Sequence, residues 1–341
     1  MSLDTTVGST KSQYVSKWHG SPVLCHAHVS KTGGSSLEIE MMRTNYTVWS
    51  KEVCLDELRL VEWCASTRER AVVPLIFLRA PREHVLSQYM ECAYSAWAQR
   101  QDFPVPRRAF HEPNRTELRD DFAEWLGHFK DDWKTWTGDF GCYCPRNFQT
   151  RSLACSTEVE MKHGAESGEE RTADAAVAKM QKGVVEKHGV VGITELFQES
   201  LCLIHLRMSG ALPEKGCGCD ANGDAVPAHN VHETKDLPVH SVEWLTSTDV
   251  ANIDELTRAD AQVYVAGLKS LLHDLHRVGK EEGKRLLCPR RVTQLRETLS
   301  YVPGADTVIG QYLSVDHGEP SPSQEARAEG GDVPDNGGGG R

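Results

Sequence analysis

Residues 71–78 read Ala-Val-Val-Pro-Leu-Ile-Phe-Leu, a continuous apolar run of strand length. A strand that is apolar on both faces has to be covered on both, as in a parallel sheet with helices on each side. A second run, Val23–Val29, is broken only by His26 and His28 and reads the same way. Each run passes at once into a polar turn and then a helix. After the first in chain order come Lys31-Thr32-Gly33-Gly34-Ser35-Ser36 and a helix from Ser36 to about Arg43. After the other come Arg79-Ala80-Pro81-Arg82-Glu83 and a helix from about Arg82 to Gln99, with Pro81 in the place that suits a helix start. This repeated strand–turn–helix unit predicts an α/β fold, a three-layer sandwich whose central parallel sheet is flanked by helices. A ligand is expected at the C-terminal edge of the strands, where the basic and hydroxyl residues collect.

The rest of the chain fits around that sheet. Residues 47–70 form a mixed segment in which Val53, Leu55, Leu58, Leu60, Val61 and Cys64 have partly helical spacing. Asp121–Trp136 reads as an amphipathic helix whose stripe of Phe122, Trp125, Leu126, Phe129 and Trp133 is core packing. A short helix over Arg146–Leu153, a helix from Thr172 to Lys187, a buried strand over Gly189–Thr194 and a helix over Glu195–Ser209 follow. A single long helix is expected from Thr248 to Val278. One domain, 18–313, is expected between a flexible N-terminus, 1–17, and a Gly/Pro/Glu-rich tail, 314–341, too poor in apolar residues to fold. The Pro/Arg-rich stretch 102–116 and the stretch 210–240 read as loops, the latter leaving His229, His232 and His240, with nearby His205, as solvated histidines.

Charge and cysteine content narrow the function classes. The net charge is -11, but residues 156–174 and 314–341 hold -4 each, so the body carries about -3. No dominant basic face is present, which argues against a nucleic-acid partner and leaves room for a local anion pocket. Met1–His19 lacks the apolar core of a secretory signal or anchor, and no apolar run of about 18 residues occurs, so no membrane-spanning segment is expected. Of the eleven cysteines, Cys25, Cys54, Cys64, Cys92 and Cys202 lie in apolar surroundings and read as small buried hydrophobes. For Cys142, Cys144, Cys155, Cys217 and Cys219 three readings stay open: disulfides, free thiols, or zinc, though the one-residue gaps are short for a zinc site. The triplets Asn45-Tyr46-Thr47 and Asn114-Arg115-Thr116 have the form of N-glycosylation sites and matter only in a secretory protein.

The first turn has the composition of an anion site. Glycines let backbone N–H groups approach an oxyanion, a helix N-terminus adds a favourable dipole, and Lys31 supplies a full charge. It is not a Walker A motif, which needs the lysine after the glycines and a Ser/Thr after that lysine. Here Lys31 precedes Gly33 and Gly34, so a Mg²⁺-dependent NTPase is disfavoured.

Four segments together resemble a known family. His28-Val-Ser-Lys31-Thr-Gly-Gly-Ser-Ser-Leu37 is similar to H-V-P-K-T-G-G-T-S-L, and Arg79-Ala-Pro-Arg-Glu-His-Val-Leu-Ser87-Gln-Tyr89 to R-D-P-x-x-R-x-x-S-x-Y. Asn147-Phe-Gln-Thr-Arg-Ser-Leu153 is similar to N-x-Q-T-R-x-L, and Val191-Gly-Ile-Thr-Glu-Leu-Phe197 to V-G-L-T-E-x-F. In this order, over roughly residues 23–205, they resemble the sulfotransferases that use 3′-phosphoadenosine 5′-phosphosulfate (PAPS), most of all the carbohydrate-modifying branch. The resemblance implies a P-loop-like fold, PAPS as co-substrate, no metal, and a glycan or other hydroxyl-bearing acceptor. It implies that Lys31, Thr32, Gly33, Gly34, Ser35 and Ser36 bind the 5′-phosphosulfate and that Arg79 and Ser87 grip the 3′-phosphate. An arginine fork suits a phosphate. The Golgi lumen is the family's usual place, although this chain shows no anchor. Three departures stand out: Ser30 for proline, Ala80 for an acid, and His84 for a second arginine.

Sulfuryl transfer, like phosphoryl transfer, passes through a loose in-line transition state, so positioning and charge stabilisation dominate. A general base must still take the acceptor's proton. In the expected window after Lys31 there is no histidine, only Glu52, Asp56 and Glu57; Glu52 is the candidate, and His28 is a second one better suited to orienting the loop. Two other functions stay open at this level, a P-loop kinase of a small molecule and a nucleotide- or glycan-binding relic without turnover.

Overall fold

The computed structural model describes residues 22–52, 71–95, 114–131, 143–155, 173–220 and 241–316. The expectations for residues 1–17, Cys54, Asp56, Glu57, Cys64, Cys142, the 156–172 stretch, His229, His232, His240 and the chain beyond 316 lie outside those residues. Four strands form one sheet: β1 (Val23–Ala27), β2 (Thr47–Lys51), β3 (Val72–Leu78) and β4 (Val190–Ile193). Their order is β2-β1-β3-β4 and each adjacent pair is parallel, Val23 lying opposite both Thr47 and Val72, and Leu78 opposite Ile193. Helices flank the sheet, so the molecule is the α/β sandwich that the two apolar runs predict.

The chain leaves β1 through α1 (Gly34–Arg43) to β2 on one side, whereas β3 lies on the other side of β1. The turns at the C-terminal ends of β1 and β3 therefore diverge across a switch in strand order, the place where open α/β sheets bind ligands. After β3 comes α2 (Pro81–Tyr94), then α3 (Arg115–Asp131), α4 (Phe148–Ala154), α5 (Ala173–Met180) with a π-turn over Gln181–Val185, and α6 (Phe197–Ser209) beyond β4. Near the C-terminus lie α7 (Ser247–Leu256), α8 (Arg258–Glu282), α9 (Pro289–Thr298) and α10 (Ala305–Asp316). The main core covers the sheet and α8; a second cluster packs Val85, Leu86, Tyr89 and Met90 of α2 against the α3 aromatics and Ile253 and Leu256. Phe122, Trp125, Leu126 and Phe129 are thus core residues, as their spacing predicts. No helix among the described residues is long and apolar enough to cross a membrane.

Several expectations need correction. Residues 47–51, the start of the stretch read as mixed, are the edge strand β2, and the helically spaced Val53–Cys64 lie outside the described residues; Thr47, Val48 and Trp49 are β-branched or aromatic, as strands prefer. Helix α3 begins six residues before Asp121, because Asn114 caps it: its Oδ1 accepts from Thr116 N and Glu117 N at 3.0 Å each, and Glu117 accepts from Asn114 N. Helix α2 stops at Tyr94, not Gln99. The single helix expected over Thr248–Val278 is two, broken at Thr257, and α9 and α10 lie beyond it. Cys25, Cys92 and Cys202 are not free thiols. Cys25, Cys92 and Cys155 are disulfide-bonded, Cys202 bonds Cys217, and Cys219 bonds Cys288; Cys144 alone among the described cysteines is free.

Candidate functional site

Between β1 and α1 the chain makes a turn that side chains hold from inside. Thr32 Oγ1 donates to Val29 O at 2.7 Å, and Thr194 Oγ1, just past β4, donates to both Thr32 O at 2.7 Å and Leu78 O at 3.1 Å. One threonine thus ties the turn to the end of β3. The Thr32 hydroxyl, buried and committed to Val29, has only its backbone N–H to offer a ligand. Lys31 and Gly33 adopt left-handed backbones, at φ 67° and 99°. Glycine suits the second; a lysine there is uncommon and is held by its neighbours. Gly34 is needed for a different reason: a Cβ would lie 2.2 Å from His28 Nε2, so the imidazole lies directly over the first residue of α1.

The N-terminus of α1 has no side-chain cap and no acid in its first turn. Leu37 N is satisfied by Gly33 O at 3.0 Å, and the N–H groups of Gly34, Ser35 and Ser36 precede it at the positive end of the helix dipole. Ser35 is exposed and Ser36 half-buried, so their hydroxyls reach solvent. These groups can hold an anion.

The inner face of α2 meets this turn through two residues seven apart, His84 and Glu91. His84 Nε2 bonds Ser30 O at 2.8 Å, and burial pushes its pKa down to about 3, with the Arg79 and Lys31 charges acting in the same direction. The ring is therefore neutral and donates its Nε2–H. Where the resemblance expects an arginine, this chain has an uncharged clamp on the turn. Glu91 Oε2 accepts from Lys31 Nζ at 2.6 Å. Sequence reasoning missed Glu91; its signal was the helical spacing from His84, which becomes readable once the turn is known to pack there.

Arg79, just past the end of β3, is half-buried and heavily partnered. Its Nη1 donates to Lys31 O at 3.2 Å, Gln149 bonds both its backbone N and its carbonyl at 2.9 Å, and Glu195 and Glu83 lie near its charge. Burial lowers its pKa and those two carboxylates counter the shift. Glu195 Oε1 accepts from Ala80 N at 3.0 Å and its Oε2 from Tyr264 OH at 2.9 Å, while Tyr301 OH donates to Glu83 at 2.6 Å. Burial raises the pKa of both carboxylates. With Ala80 in place of an acid, Glu195 supplies the carboxylate that holds this turn. Ser87 lies at the end of the second turn of α2, buried at 5% exposure, and no hydrogen bond joins it to Arg79 among the described residues.

On the other side of Lys31 lie the two base candidates. His28 Nδ1 is 3.9 Å from Glu52 Oε1, beyond hydrogen-bond length but within ion-pair range. Burial lowers the His28 pKa; Glu52 and Glu38 oppose that and Lys31 adds to it. His26, deeper on β1, bonds Ser50 Oγ at 3.0 Å through Nδ1, and burial holds its pKa well below the usual value. Tyr143 completes the wall: burial and then the charges of Glu52 and Glu91 raise its hydroxyl pKa. His28, Lys31, Glu52, Glu91 and Tyr143 thus lie near one another, a cation with two carboxylates and an imidazole around it. Among the described residues no group of three or more His, Cys, Asp or Glu is placed to hold a metal ion. Any activity has to be argued from this arrangement alone, because no protein-family model and no curated protein matches the chain.

Proposed function

We propose that the chain transfers the sulfuryl group of PAPS to a hydroxyl, on a carbohydrate acceptor. The observation that carries the reading is the uncapped N-terminus of α1 directly behind Lys31, at a switch in strand order, with Arg79 reaching the same turn from β3. Backbone donors, a helix dipole and one ammonium suit a singly charged sulfuryl group, which needs less neutralisation than a phosphoryl group. Bound PAPS supplies the activated sulfuryl group. The N–H groups of Gly34, Ser35 and Ser36 hold its anionic oxygens, and Lys31 moves its ammonium from Glu91 to the group in transit. Arg79 stiffens the turn through Lys31 O and, with Ser87, is assigned the 3′-phosphate. Glu52 takes the acceptor's proton as the acceptor oxygen bonds sulfur and the bond to the donor phosphate breaks. His28, whose ring lies over Gly34 and 3.9 Å from Glu52, orients the turn beside the base. The disulfides favour an oxidising compartment, in keeping with a secretory lumen.

One observation favours a second reading. Lys31 is paired with Glu91, and Arg79 stands between Glu83 and Glu195, as in a site that binds a nucleotide without turnover. Radiolabelled PAPS, offered with a panel of glycans, small alcohols and phenols, separates the two. Label transfer that Lys31→Ala abolishes supports the enzyme. Tight binding of adenosine 3′,5′-bisphosphate with no label transfer to any acceptor supports the relic. Neither binding nor transfer would overturn both.

A further inference from the structure

We propose that Asn45 is an N-glycosylation site, an inference that stands apart from the proposed activity. Its first support is the redox state of the chain. Every described cysteine except Cys144 is in a disulfide, a pattern that belongs to secreted and lumenal proteins and not to the reducing cytosol. In that compartment an Asn-x-Thr triplet is a substrate for oligosaccharide transfer.

The second support is the setting of the triplet. Asn45 is the turn residue between α1 and β2, with a left-handed backbone at φ 62° that asparagine tolerates better than most residues. Asn45 and Thr47 are exposed, and the Asn45 side-chain amide makes no hydrogen bond among the described residues. Nothing folded has to open for a large substituent to be carried there.

The third support is position. Helix α1 begins at the anion-binding turn and runs ten residues away from it, roughly 15 Å. Thr47 pairs with Val23, the first residue of β1, so Asn45 lies beyond the N-terminal edge of the sheet. The site lies at the other edge. A glycan on Asn45 leaves Lys31 and Gly34 uncovered. Asn114 is a contrast: it is exposed, but its Oδ1 is occupied as the N-cap of α3.

In the transfer step Asn45 Nδ2 forms a bond to the anomeric carbon of an oligosaccharide carried on a polyisoprenyl pyrophosphate. The carbon–oxygen bond to the pyrophosphate breaks, the lipid pyrophosphate leaves with the electron pair, and one amide proton is lost to base. The test is to direct the full chain, behind an added secretion leader, into the lumen of a cell line that N-glycosylates. Mobility is then compared before and after peptide N-glycosidase. The expected result is a downward shift, with Asn45 recovered as aspartate in the released peptide. Thr47→Ala should abolish glycosylation at Asn45, while Thr47→Ser, which keeps the triplet, should retain it. Disulfide formation, read from non-reducing mobility, reports that each variant has folded. Folded, oxidised protein with Asn45 unmodified would overturn the proposal, as would modification confined to Asn114.

Discussion

Lys31 and Glu91 stand 2.6 Å apart with both side chains about four-fifths buried, so the charge that an anion would meet is already claimed. A carboxylate there opposes an incoming anion twice, by holding the ammonium and by repelling the anion directly. A pair this shielded from solvent is expected to be worth about 1 kcal/mol, at the upper end for surface pairs. Glu91→Gln should therefore tighten binding of adenosine 3′,5′-bisphosphate about fivefold, measured by calorimetry at fixed ionic strength. Weaker binding in Glu91→Gln would mean that Glu91 aims Lys31 at the ligand instead of competing with it. His84 shows the same economy at single-residue scale. Held neutral, it donates to Ser30 O and adds no second cation to a turn already occupied by Lys31 and Arg79.

At the scale of elements, the site depends on two helices that cap each other. Asn147 Oδ1 accepts from Ala259 N at 3.0 Å and Asp260 N at 3.4 Å at the start of α8, while Asp260 accepts from Gln149 N, Thr150 N and Thr150 Oγ1 at the start of α4. The Gln149 side chain then grips Arg79. Asp260 is fully buried, and burial raises its pKa to about 6 against the hydrogen bonds that favour its charge. An acid with a raised folded pKa binds its proton more tightly in the native state. Its contribution is therefore full below its unfolded pKa and is lost as pH rises toward 6, a change of ~3 kcal/mol. Asp260→Asn removes that titration. The stability of wild type relative to Asp260→Asn should fall by that order between about pH 4 and pH 6, and then level off; a difference flat across the window would refute the assignment. These caps also explain what could be read in advance. The two apolar runs and the Lys31–Ser36 turn were legible because burial on both faces and turn chemistry are local properties. Edge strand β2 has only five residues and a half-buried face, so its signal was weak. The break at Thr257 was hidden because its partner, Asn147, lies more than a hundred residues away. Glu91 needed both the helix and the turn before its place could be seen.

At the scale of the whole molecule, the C-terminal helices are joined to the site by one covalent and one polar route. Cys202 on α6 bonds Cys217, and Cys219, two residues on, bonds Cys288 at the N-cap of α9. Three residues into α9, Arg291 donates to Glu195 O and lies 3.6 Å from Glu199, and Glu195 in turn holds Ala80 beside Arg79. The two disulfides span sequence separations of 15 and 69 residues. In the loop-closure account the longer bridge restrains the unfolded chain more, by ~4 kcal/mol against ~3 kcal/mol. Replacing Cys219 and Cys288 together by serine should therefore lower stability more than replacing Cys202 and Cys217, as read from denaturant midpoints at constant slope. It should also weaken adenosine 3′,5′-bisphosphate binding, because α9 then holds Glu195 by hydrogen bonds alone. If the long bridge can be removed with no loss of stability and no change in binding, the C-terminal helices are a passive cover. The Arg291–Glu195–Ala80 route would then carry nothing to the site.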